Sequence, residues 1–138
     1  MPFSTYLADS VLNWFKGSSA PAAPSTVYIS LHTADPGPVG ATADVTTTLM
    51  GGRVSISTGA FSAPTNSPPP ATGRQISNTG LVTLAASAGG AAVITHFGVW
   101  SAATAGNFLT YGTLANPLSV FNGDTLEFPV GQLVIRVL

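Results

Sequence analysis

From residue 26 onward, apolar and polar side chains alternate in short runs, the period of a half-buried strand. Val27, Ile29 and Leu31 fall on one face, with Tyr28, Ser30 and His32 on the other. Arg53-Val54-Ser55-Ile56-Ser57 repeats the pattern, and further strands are predicted over residues 81–85, 92–100, 108–111, 118–120, 126–130 and 133–138. Turn signals separate them. Ala34-Asp35-Pro36-Gly37, Ala88-Gly89-Gly90, Ala105-Gly106-Asn107, Asn122-Gly123-Asp124 and Val130-Gly131-Gln132 combine residues that cap, fix φ or accept positive φ. Roughly eight short strands with turns about every 8–12 residues predict an antiparallel β-sandwich or jelly-roll-like domain. The last strand runs out to Leu138, which reads as a paired end.

Two stretches break the alternation. Residues 41–50 are Thr-rich and β-prone but unpatterned, and read as a long connection. Residues 63–73 (APTNSPPPATG) cannot form a central strand, because three consecutive prolines remove ladder donors; an exposed extended loop is expected.

The N-terminus has a different period. Leu7, Val11, Trp14 and Phe15 recur at helical spacing behind Phe3, with Ser4 as N-cap, Lys16 in the last turn and Gly17 to close it. Residues 17–25 (GSSAPAAPS) then form a small-residue and proline tether. The expected organisation is therefore an amphipathic helix and tether over residues 1–25, and one β domain over 26–138. The fold class is mainly β, with one short N-terminal helix in front. A helix this short is not stable alone. Its aromatic face either folds back onto the domain's own sheet or packs against a neighbouring copy or another protein. Phe3, Leu7, Val11, Trp14 and Phe15 are the candidate contacts, and about eight extended tether residues reach about 25 Å.

Charge narrows the function. Nine of 138 residues are charged (Lys16, Arg53, Arg74, Arg136, Asp9, Asp35, Asp44, Asp124 and Glu127), against about a quarter in an ordinary soluble domain. So little charge is poorly suited to keeping free copies apart, and points to a surface covered by other protein. Four scattered cations cannot track a phosphate backbone, so no nucleic-acid partner is expected. No apolar run reaches the ~18 residues of a membrane span, and the first residues lack the basic start of a signal peptide. With no cysteine, disulfides and thiolate metal sites are ruled out.

Candidate chemistry is sparse. His32, His96 and Asp35 would approach a metal-ligand set only if their strands were neighbours; polar-face histidines are the plainer reading. Asp35 and Asp124 belong to turns, Asp9 to a helix surface, and Glu127 alternates outward, so no carboxylate pair emerges. There is no Gly-x-Ser-x-Gly elbow and no phosphate-loop lysine. The expectation is a non-enzymatic protein without catalytic residues, cofactor or metal. For sugar binding, Trp100 or Tyr111 would be the aromatic platforms.

Several phrases carry a family likeness. Residues 26–37 (TVYISLHTADPG), Ile76-Ser77-Asn78-Thr79-Gly80, Thr95-His96-Phe97-Gly98-Val99-Trp100, Gly106-Asn107-Phe108-Leu109 and Gly123-Asp124-Thr125-Leu126-Glu127-Phe128 together resemble a family of small tailed-bacteriophage virion proteins. These are labelled capsid decoration (cement) or tail-fibre-like proteins. The resemblance implies a β-rich module, commonly a homotrimer, made in the host cytoplasm and carried on the virion. The chain lacks heptads and repeats, which favours a cement protein bound to the major capsid protein on the capsid surface. The alternative is a tail- or head-fibre module with a host glycan as ligand.

Overall fold

A computed structural model of the chain describes residues 3–86 and 90–137. In chain order the elements are α1 (Thr5–Phe15), β1 (Thr26–His32), α2 (Thr46–Met50), β2 (Val54–Ser57), β3 (Thr65–Asn66), β4 (Arg74–Ser77), β5 (Val82–Ala86), β6 (Ala92–Trp100), β7 (Phe108–Val120), β8 (Thr125–Phe128) and β9 (Val134–Val137). The strands form three antiparallel sheets, ordered β2-β1-β6-β7, β3-β4-β9 and β5-β8. The chain is thus mainly β behind a short N-terminal helix, as the alternation predicts.

One core joins the sheets. Ile29 and Leu31 of β1 with Ile94, Phe97 and Val99 of β6 meet Val82 and Leu84 of β5 and Leu126 and Phe128 of β8. Burial of a Leu, Ile or Phe side chain stabilises by roughly 1.5–3 kcal/mol, so this shared cluster dominates the fold's stability. Asn78, buried in the bend after β4, ties its edge. Its Oδ1 accepts the Leu133 N–H at 3.0 Å, and its Nδ2 donates to the carbonyls of Gly80 and Pro129, each at 2.9 Å.

Four elements depart from the sequence reading. Residues 46–50, expected in an irregular connection, form α2: Asp44 Oδ1 accepts the Thr46 N–H at 2.8 Å, Leu49 is buried, and Gly51 ends the turn at φ 75°. Tertiary burial overrides the weak helix propensity of three threonines here. The proline-rich loop contributes β3, which pairs with β4, a strand absent from the sequence reading. The two strands expected at 108–111 and 118–120 are one strand, β7. Along it the register moves from His96↔Thr113 to Ile94↔Leu118, so two steps on β6 take up five on β7. Residues 114–117 bulge out of that ladder, so Pro117, which has no N–H, leaves none of its hydrogen bonds unmade. The expected turn at Ala88-Gly89-Gly90 and the paired end at Leu138 lie outside the described residues, apart from Gly90.

Candidate functional site

Ser4 caps α1, its buried hydroxyl accepting the Leu7 N–H at 3.1 Å. Such a cap contributes about 1 kcal/mol. Backbone bonds from Ser4 N–H to Leu109 O and from Thr5 N–H to Pro38 O, both 3.1 Å, hook the helix start onto β7 and the loop after β1, and Phe3 bridges to Thr110. Beyond this hook α1 fully buries nothing. Leu7, Val11 and Trp14 face an apolar groove of about 490 Å³, walled opposite by the tether at Ala20–Pro24 and by Val99 and Leu109. Of the five candidate contacts, Phe3, Leu7 and Val11 are half-buried, while Trp14 and Phe15 are 56% and 74% exposed. These two rings touch each other at 5.1 Å between centroids, with Leu12 also exposed beside them.

On the face of β1 and β6 opposite the core lies a second cluster. Trp100 Nε1–H donates to Ser30 Oγ at 3.0 Å, Ser30 Oγ lies 2.8 Å from His32 Nε2, and His32 Nδ1 lies 2.8 Å from Thr42 O. A carbonyl only accepts, so Nδ1 carries the proton and Nε2 accepts from the Ser30 hydroxyl: the ring is held neutral. Burial lowers the His32 pKa, against the raising effects of the Thr42 carbonyl and the Asp44 charge; nearby His96 lowers it further. The Trp100 ring is not a free platform. The Arg53 guanidinium lies 3.6 Å from its centroid, anchored by Nη1–H bonds to Ala102 O at 2.9 Å and Ala105 O at 2.7 Å. Phe108 packs beside it at 4.8 Å, and Gly40, at φ 73°, approaches so closely that a Cβ would fall 2.8 Å from both rings.

His32 and His96 are directly opposite in the β1–β6 register, so the strands are neighbours. Both ring nitrogens of His32 are nonetheless engaged by Ser30 and Thr42, while His96 Nδ1 lies 2.8 Å from Thr95 Oγ1. Among the described residues, no group of three His, Cys, Asp or Glu side chains is placed to hold a metal.

A polar cavity of about 390 Å³ opens on the other side of Tyr111. It gathers Asp35 from the turn after β1, Thr72 from the proline-rich loop, His96 from β6, Tyr111 and Thr113 from β7, and Arg136 from β9. Asp35 Oδ1 accepts the Gly37 N–H at 2.8 Å, the turn role its sequence predicts, and Arg136 Nε donates to Gln75 Oε1 at 3.0 Å. Tyr111 stacks on Phe108 at 5.6 Å. Burial and, next, the Asp35 charge raise its pKa. Sequence reasoning names Tyr111 and Asp35 separately but does not join them. The lining comes from distant segments, and no local spacing signals it.

The comparison with protein families decides the lineage. Residues 2–136 match the family model described as podophage GP4 fiber I protein gp80. The chain belongs to that family. A search of curated proteins finds no match. Membership in the fibre family makes the chain a structural component of a bacteriophage virion. The phrases that carry the likeness sit at framework positions of this fibre protein. Residues 26–37 are β1 and its turn, Asn78 ties three segments, residues 95–100 lie in the core strand β6, and residues 123–128 are a turn and β8.

Proposed function

We propose that this fibre-family protein is a non-catalytic attachment module, docked onto a neighbouring virion protein through the free face of α1. The observation that carries this reading is the exposure of Leu12, Trp14 and Phe15 on a helix anchored at its start and beside an apolar groove. Three large apolar residues exposed together on a domain with nine charges mark a surface that another protein covers. Docking through side chains of a helix whose first turn is tied to β7 leaves the β domain undisturbed.

A capsid-cement trimer over capsomer junctions uses the same surface and differs in its place on the particle. That second reading is favoured by the short elements: the longest is the 13-residue β7, and nothing among the described residues extends into a shaft. The test is assembly of phage carrying Leu12→Glu with Phe15→Lys, both at exposed positions. The variant is expected to fold and to be missing from purified particles. Full occupancy would defeat the docking proposal, and images of wild-type particles with the protein labelled separate head from fibre.

A further inference from the structure

The polar cavity beside Tyr111 holds a pattern that neither the fold nor attachment through α1 requires. In a chain with nine charges, Asp35 and Arg136 line one cavity without forming an ion pair with each other. Each uses part of its bonding capacity on its own surroundings, Asp35 through Oδ1 and Arg136 through Nε. Among the described residues, the second Asp35 oxygen, both terminal amino groups of Arg136, the Tyr111 hydroxyl and His96 Nε2 have no hydrogen-bond partner. Donors and acceptors are therefore mixed around one space, ready for a ligand that offers both.

The walls are stiff. Pro70, from the triple-proline run, fixes one side, and its ring-locked φ removes much of the freedom such a loop would otherwise lose on binding. The Tyr111 ring on the other side is held by its stack on Phe108. The volume of about 390 Å³ lies within the roughly 300–1,000 Å³ of small-molecule sites.

Charge selects the ligand class. One carboxylate and one guanidinium cancel, so the cavity attracts neither anions nor cations as such. A phosphate at Arg136 would share the space with Asp35, and an ammonium at Asp35 would share it with Arg136. A neutral polyhydroxyl compound meets neither repulsion. Its hydroxyls accept from Arg136 and donate to Asp35, while an apolar C–H face packs on an aromatic ring. We propose that this cavity is a binding site for a neutral saccharide, with Asp35 and Arg136 clasping ring hydroxyls and Tyr111 forming the platform.

The assignment stands on the cavity and not on where the protein sits in the particle, so it is tested on the isolated full-length chain. Lactose, maltose, cellobiose and trehalose are titrated separately, with inorganic phosphate in parallel, and backbone amide shifts are followed by NMR. At least one disaccharide is expected to move the signals of Thr72, His96, Tyr111, Thr113 and Arg136 together, leaving α1 unmoved. Asp35→Asn, which keeps an oxygen for the Gly37 amide, and Arg136→Gln should each weaken that binding roughly tenfold or more, the loss of one charge-assisted hydrogen bond. Tyr111→Phe should keep the stack on Phe108 and lose less. Unchanged spectra outside the cavity establish that the variants fold. No response to any disaccharide overturns the proposal, as does a response to phosphate alone, or saccharide binding that both charge variants retain at full strength.

Discussion

Protonating His32 would disrupt a line of hydrogen-bonding groups running from Trp100 through Ser30 to Thr42, because its two ring nitrogens already have opposite roles. The ring is fully buried, and burial is the main cause of its lowered pKa. In the unfolded chain the ring titrates near 6.5. Above that pH both states are neutral and the contribution to stability is complete. Below it the unfolded chain takes up a proton that the folded chain resists, so stability falls as pH drops from about 6.5 toward the lower folded value, by at most about 1.4 kcal/mol per pH unit. Urea midpoints at pH 7 and pH 5 should therefore fall more for the wild-type protein than for His32→Gln, which starts lower and changes less. Equal falls would show that the acid sensitivity comes from other groups. The alternation marks His32 as facing away from the core, and it does. Its burial is not legible, because the groups around it, Thr42 from a loop and Phe108 from β7, are brought to β1 by tertiary packing that local periodicity does not show.

Among elements, β7 shows most clearly what a pattern of residues can and cannot reveal. β1 reads directly from its alternation and β6 from its dense run of apolar residues on both faces, bounded by turn signals, and residues 92–100 match the observed strand end to end. β7 reads as two pieces because Gly112, Asn116 and Pro117 interrupt it, whereas the bulge at 114–117 lets one strand pass through. What makes the bulge tolerable is distant in sequence. The Gln132 side chain takes the place of a neighbouring strand, accepting the Asn116 N–H at 3.1 Å and donating to Asn116 O at 2.6 Å. Gln132→Ala would leave that N–H and C=O to water, since Asn116 is exposed, and a loss of about 0.5–1.5 kcal/mol is expected. Thermal unfolding measures the loss, and faster hydrogen exchange at the Asn116 amide would assign it to this contact. α2 and β4 stayed hidden for related reasons: Thr46 reads as strand-forming until Leu31 and Asp44 bind it, and β4 is half-buried without a clean alternation.

For the molecule as a whole, no ion pair links any two of the described residues, and the fold rests on one apolar core with hydrogen-bonded turns. Raising sodium chloride from about 50 mM to about 500 mM screens exposed charges almost completely, yet should lower the unfolding free energy by less than about 0.5 kcal/mol. A larger fall in the urea midpoint would reveal an electrostatic contribution that the structure does not contain. At this scale the apolar arm could be read from its helical spacing, since each of its residues belongs to one continuous segment. The saccharide cavity could not, because Asp35 follows β1 and Arg136 lies in β9, about a hundred residues on, and only the tertiary fold brings both to one space.

The hook at Phe3 and Ser4 has a bearing on growth as well as on docking. Together with Gln132 it occupies backbone positions along the rim of β7 that would otherwise template a strand from another copy. Proteolytic clipping within residues 18–24 would release that guard and bare the Leu109 carbonyl. A discrete particle component would then acquire an adhesive rim, the starting point for open-ended polymers instead of closed assemblies.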